Sequence, residues 1–147
     1  MELHCLENKS ILITGASGFI GSFMVERALA EGMEVWAAVR PTSSRRYLTD
    51  DRIHFIELDL SDELHLQHQL EDHLKEVGGR PFDYVIHAAG ATKCRRAEDF
   101  FTINAEGTAC LALTLLGTQA LLPTGRFVFI SSLSVMGPLH ERDGKDI

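Results

Sequence analysis

Ser10-Ile11-Leu12-Ile13-Thr14-Gly15-Ala16-Ser17-Gly18-Phe19-Ile20-Gly21 carries an apolar run straight into three glycines at intervals of three. Ile11, Leu12 and Ile13 supply the continuous apolar stretch required of a strand buried on both faces. The spacing of Phe19, Ile20, Met24, Val25, Ala28 and Leu29 predicts a helix after it. The glycines between have separate tasks: Gly15 turns the chain, Gly18 has no side chain to hold a phosphate away, and Gly21 lets the helix lie close on the sheet. Free N–H groups in the first helical turn and the positive end of the helix dipole then form a cradle suited to a dinucleotide pyrophosphate, with Phe19 and Ile20 among its cofactor-binding residues and the hydroxyls of Thr14 and Ser17 nearby. A glycine-rich turn without a ligand would show the same glycines, so the weight rests on their position between strand and helix.

Composition narrows the class. The 147 residues, 45% hydrophobic and 24% charged, suit one domain with a real core. A net charge of -7 argues against a nucleic-acid partner or an anionic membrane surface, and leaves Arg45-Arg46 and Arg95-Arg96 as local basic pairs. Cys5, Cys94 and Cys110 are odd in number and lack Cys-x-x-Cys spacing, which reads as free thiols in a reducing compartment. The acidic start has no apolar run of a signal peptide, and the apolar segment 109–116 is shorter than the ~18 residues of a membrane span, so a cytoplasmic protein is expected. His65, His68 and His73 share one predicted helix and read as solvated, with no metal site.

Along the chain, 34–39 reads as a second strand ending at Arg40, nineteen residues after Gly21. There a carboxylate would bind a ribose 2′-hydroxyl, whereas arginine accommodates a 2′-phosphate, so Arg40 favours NADP with NAD remaining open. The alternative for Arg40 is a solvated loop charge. A third strand, 52–58, closes on Asp59-Leu60. Asp59 suits an adenine amino group and Leu60 the ring, while Asp59 or Ser61 equally suits the cap of helix 62–77, with Leu64, Leu66, Leu70, Leu74 and Val77 on one side. After Gly78-Gly79-Arg80-Pro81 comes a fourth strand, 82–87, opening into Ala88-Ala89-Gly90, small enough for a ribose or ring to lie on the backbone. Thr92 and Lys93 then face substrate entry. From Glu98 an apolar helix follows, with Asn104 and Thr108 as polar interruptions and Asn104 suited to bracing a backbone turn. Leu122-Pro123-Thr124-Gly125 ends that segment, and a fifth strand, 126–130, opens into Ser131, Ser132 and Ser134 at the carboxyl end, where open α/β sheets bind ligands. Five strands alternating with helices give a parallel, doubly wound α/β sheet with the first strand central.

Five motifs in this order resemble the extended short-chain dehydrogenase/reductases, the NAD(P)-dependent epimerases, dehydratases and dihydroflavonol-type reductases. They are Thr14 to Gly21, Asp59-Leu60, His87-Ala88-Ala89-Gly90, Asn104-Ala105-Glu106-Gly107-Thr108, and Ser131-Ser132-Leu133-Ser134-Val135-Met136-Gly137. The resemblance implies a three-layer Rossmann-type sheet of at least five parallel strands, with residues 1–147 as the cofactor-binding part and the substrate-binding C-terminal region absent. It implies that Ser132 hydrogen-bonds the reacting hydroxyl or carbonyl, that Asn104 is structural, and that Thr92, Lys93 and Ser134 lie on the substrate side. Met136 departs from the pattern, where a tyrosine is usual, which weakens a sugar-nucleotide assignment among carbonyl compounds. The family's Tyr-x-x-x-Lys pair is missing: Tyr47 and Tyr84 are followed four residues on by Asp51 and Ala88. The chain alone is therefore expected to be inactive, because the general acid is worth about 10²–10⁴-fold. The expected function is hydride transfer in an oxidoreductase, epimerase or dehydratase, with a homodimer open; the alternative is a non-catalytic NADP-binding or redox-sensing module.

Overall fold

A computed structural model describes residues 6–132. Its elements run β1 (Ser10–Thr14), α1 (Phe19–Ala30), β2 (Glu34–Val39), β3 (His54–Glu57), α2 (Glu63–Glu76), β4 (Phe82–His87), α3 (Ala97–Phe100), a π-helical segment (Phe101–Glu106), α4 (Gly107–Gly117) and β5 (Leu121–Phe129). All strand pairs are parallel and the sheet order is β3-β2-β1-β4-β5, so β1 is central as expected. The order reverses between β1 and β4. That point opens a crevice beyond the carboxyl ends of the strands.

β1 is buried along its whole length, and its alternation divides the core. Ile11 and Ile13 join Val25, Ala28 and Leu29 of α1 with Val35, Ala37 and Val39 of β2. Leu12 faces the other way, with Ala38, Ile56 and Val85, under Leu66 and Leu70 of α2 and Leu111 and Leu115 of α4. Helices on both faces complete three layers. Truncating a leucine from either cluster costs about 2–5 kcal/mol.

Several expected boundaries shift. β3 is shorter than 52–58 because Asp50 folds a turn on Arg52, accepting from its backbone N–H at 3.0 Å and from its guanidinium at 2.9 and 2.7 Å. The guanidinium hydrogen bond lowers the Asp50 pKa to about 2. The helix expected from Glu98 begins at Ala97 and contains the π segment. The run Ala97–Gly117 thereby reaches 21 residues and has the length and composition of a membrane span, well beyond the apolar stretch read at 109–116. Leu111 and Leu115 nevertheless lie in the core against the sheet and α2. β5 starts at Leu121, so Leu122-Pro123-Thr124-Gly125 does not precede the strand but forms an irregularity within it, where the register steps from Phe82↔Leu121 to Tyr84↔Arg126. Among the described residues β5 pairs with β4 alone, and proline and glycine are tolerated at such a strand.

Three side-chain expectations also fail. Phe19 and Ile20, spaced with Val25, Ala28 and Leu29, do not share their buried face of α1; Phe19 is 77% exposed, edge-to-face with Phe23. Leu64 is 70% exposed, off the buried stripe of α2. His73 is buried rather than solvated, because it follows Leu66 and Leu70 at helical spacing. Its ring lies parallel to Phe82 at 4.9 Å and edge-on to Trp36 at 4.4 Å, and burial pushes its pKa down.

Candidate active site: a dinucleotide cleft

The turn after β1 is built by close contact. Gly15 has φ +67°, and a Cβ there would lie 2.6 Å from the backbone of Ala88 and Ala89, so the first turn rests directly on the exit of β4. At Gly21 a Cβ would lie 2.1 Å from the Gly15 carbonyl oxygen. The third glycine therefore seats α1 on the turn. Gly18 is the N-cap of α1, in extended conformation and with no side-chain cap, and its N–H donates to the Gly15 carbonyl at 2.9 Å. The first N–H groups of a helix have no intrahelical acceptor, so an uncapped start presents donors outward.

A cleft of about 540 Å³ lies over these carboxyl ends. It brings together Gly15, Ser17 and Gly18 after β1, Arg40 after β2, Asp59 and Leu60 after β3, and Ala88, Ala89 and Gly90 after β4. Gly21 is buried beneath the turn, and the Phe19 and Ile20 side chains stand exposed outside the lining. Thr92 and Lys93 are exposed and also outside it. Ser132 is exposed just past β5 and does not line the cleft, and Ser134 lies outside the described residues.

Arg40 is exposed, its backbone fixed by Ser43: the Arg40 N–H donates to Ser43 Oγ at 3.0 Å and the Ser43 N–H to the Arg40 carbonyl at 2.9 Å. Arg45 and Arg46 are engaged elsewhere, over the rings of Phe55 and Tyr47. Asp59 Oδ1 accepts from the Ser61 hydroxyl at 2.6 Å and the Ser61 N–H at 2.9 Å. These hydrogen bonds lower its pKa, helped by the charges of His65 and Arg40 and opposed by burial. Neither Asp59 nor Ser61 caps α2; Asp62 does, accepting from the His65 N–H at 2.9 Å.

Asn104 lies outside the lining and clamps the turn after β4. Its Oδ1 accepts from the Ala91 N–H at 2.7 Å and its Nδ2 donates to the Ala91 carbonyl at 3.0 Å. Thr102, Ile103 and Gly107 line the far wall, residues that sequence reading did not single out. A stripe at ordinary helical spacing does not forecast a π turn, which rotates side chains out of that register. The linkage of buried Thr14 and half-buried Thr108 through the buried His87 ring was also missed, although a histidine ending an apolar strand and a threonine in an apolar helix both call for polar partners.

Residues 11–147 match the family model described as the NAD dependent epimerase/dehydratase family. The chain belongs to that family. The epimerase/dehydratase domain is 28% identical over 141 residues to short-chain dehydrogenase RED1 of Pyricularia oryzae, covering 90% of this chain and 49% of that protein. It is 30% identical over 146 residues to the UDP-glucose 4-epimerase of Mus musculus, covering 88% of this chain and 39% of the relative. A crystal structure of a short-chain dehydrogenase from Leptospira borgpetersenii with bound NAD+ shares the fold, with a TM-score of 0.70 at 23% identity over 93% of this chain and 56% of that one. The chain spans about half or less of the length of these two curated relatives. Family and fold make it an NAD(P)-binding Rossmann domain of the epimerase/dehydratase family.

Proposed function

We propose that the epimerase/dehydratase domain binds NADP in preference to NAD and serves an enzyme that transfers hydride at a hydroxyl or carbonyl carbon of a small molecule, a sugar nucleotide or another carbonyl compound. The observation that carries this is the cleft: four strand ends and an uncapped helix N-terminus converge on one crevice. The site fits the group, since the turn that would take the diphosphate is closed by glycines where a Cβ would strike backbone. Bound there, the nicotinamide supplies the hydride donor or acceptor.

The protein's own groups supply the rest. N–H groups of the first turn of α1 hold the diphosphate, and Ser17 adds a hydroxyl. Arg40, exposed and free of the aromatic contacts that occupy Arg45 and Arg46, takes the 2′-phosphate. Asp59, kept ionised by Ser61, accepts from the adenine amino group, and Leu60 packs on the ring. Ala88, Ala89 and Gly90 let the ribose lie against the backbone, and Asn104 keeps that turn in place. Ser132 donates to the reacting oxygen, while Thr92, Lys93 and Ser134 lie toward the substrate. Residues 1–147 bind cofactor without turnover, because no Tyr-x-x-x-Lys stands in this sequence to move the proton.

Fluorescence titration tests the reading. NADPH should bind about tenfold or more tighter than NADH, the worth of charge-assisted hydrogen bonds. Arg40→Asp should reverse that order; equal affinities in the wild-type chain would remove the role given to Arg40.

A further inference from the structure

His87 ends β4 fully buried, between the turn after β1 and α4. Its Nδ1 lies 2.6 Å from Thr14 Oγ1 and its Nε2 lies 2.9 Å from Thr108 Oγ1. Thr108 in turn donates its hydroxyl to the Asn104 carbonyl at 2.5 Å, and Thr14 Oγ1 accepts from the Ala89 N–H at 3.3 Å. Each hydroxyl has one proton, which fixes the direction of the whole chain. Thr108 has spent its proton on Asn104, so it accepts from His87, and the ring carries its hydrogen on Nε2. Nδ1 is then bare, so Thr14 donates to it and keeps a lone pair for Ala89. The sequence Ala89 N–H, Thr14 O–H, His87, Thr108 O–H, Asn104 carbonyl has a donor and an acceptor at every step only while the ring is neutral.

One end of this chain is a wall of the cleft, and the other holds a wall in place. Thr14 and Ala89 line the cleft directly, and Asn104 holds Ala91, another lining residue, through its side chain. The groups against the ring are Thr14 from β1, Thr108 from α4, and the rings of Phe127 and Phe129 from β5, none of them titratable or charged among the described residues.

We propose that His87 is the positioning residue of the cleft: its neutral, Nε2-protonated ring sets Thr14, Ala89 and Asn104 for the dinucleotide, and a second proton on the ring releases that setting and weakens binding. This rests on the dinucleotide reading of the cleft. Protonated Nδ1 would point a second donor at Thr14 Oγ1, which already accepts from Ala89 and would have to turn its own hydrogen away. Burial independently opposes the charge, holding the ring below its ordinary pKa. The cleft thereby becomes less competent in acid without any change in the residues that touch the cofactor.

The test titrates NADH, which lacks the titratable 2′-phosphate, from about pH 8 down to the pH at which nitrogen NMR shows the His87 ring taking its second proton, with circular dichroism at each point to establish that the chain stays folded. Wild-type affinity should fall by about tenfold per pH unit once the ring takes its proton. His87→Gln keeps His65, beside Asp59, and should bind weakly with a flattened profile. Thr108→Val, which preserves shape, should lose about tenfold in affinity at neutral pH, the worth of one hydrogen bond whose partner is left unsatisfied, and Thr108→Ser should restore it. Nitrogen NMR should show the His87 hydrogen on Nε2. No NADH or NADPH binding at about pH 8 defeats the cleft reading itself. Binding with a pH-independent affinity, a wild-type profile in His87→Gln, or a hydrogen on Nδ1 overturns the role of His87 while leaving that reading intact.

Discussion

Replacing Gly21 with alanine tests how the cofactor turn is built. A helix-interior glycine normally gives up about 1 kcal/mol to alanine, so propensity alone predicts that Gly21→Ala stabilises α1. The contacts predict the reverse. The new Cβ would stand 2.1 Å from the Gly15 carbonyl oxygen, 2.7 Å from its carbon and 2.9 Å from the Cα of Ala16, all backbone atoms that no side-chain rotation can clear. Overpacking of this kind costs roughly 1–3 kcal/mol, and three rigid contacts place the cost near the top of that range. After the propensity gain the net loss is about 2 kcal/mol, a fall of about 4–8 °C in Tm for a domain of this size. Thermal unfolding followed by far-UV circular dichroism reads it. Gly117→Ala is the control, since nothing lies within 4 Å of its Cβ, and it should gain about 0.4–1 kcal/mol. A Tm for Gly21→Ala at or above wild type would refute the claim that this glycine seats the helix on the turn.

Gly18→Val should separate binding from folding: the position has φ -80° and a Cβ 3.2 Å from the Gly15 carbonyl, so unfolding should shift by a few degrees at most while NADPH titration shows no saturation. Asn104→Ala removes both bonds to Ala91 and should cost about 1–3 kcal/mol by urea unfolding; a midpoint unchanged from wild type would mean that the turn stands without it. Acid should destabilise the fold through His73 and His87, whose pKa values burial holds below the ordinary ~6.5. The unfolded chain takes up these protons first, so stability is complete above about pH 6.5 and is lost as pH falls from there through the folded-state values, by about 1.4 kcal/mol for each unit of separation. A flat urea midpoint across that interval would contradict the burial of both rings.

The parts of the fold set by local pattern were legible in the sequence. Apolar runs at Ile11–Ile13 and in β2 and β4, separated by glycine breaks, pointed to five parallel strands with β1 central, because crossover handedness leaves few alternatives. The lining residues after each strand followed from where strands end. What escaped depends on partners distant in sequence. His73 looks solvated by residue type and is buried because Trp36 and Phe82 surround it. Phe19 and Ile20 look like core and face outward because Gly21 is the residue that α1 presses against the turn. The π segment needs no unusual residue of its own. The Thr14, His87 and Thr108 chain is visible in sequence only as three polar residues in apolar surroundings, and only their convergence assigns each a proton.

A crystal of the chain grown with excess NADPH tests the central claim most directly. The account predicts the diphosphate against the N–H groups at the start of α1, the 2′-phosphate beside Arg40 and the adenine between Asp59 and Leu60. An empty turn with the dinucleotide bound elsewhere, or a side chain of the protein filling that turn, would contradict it.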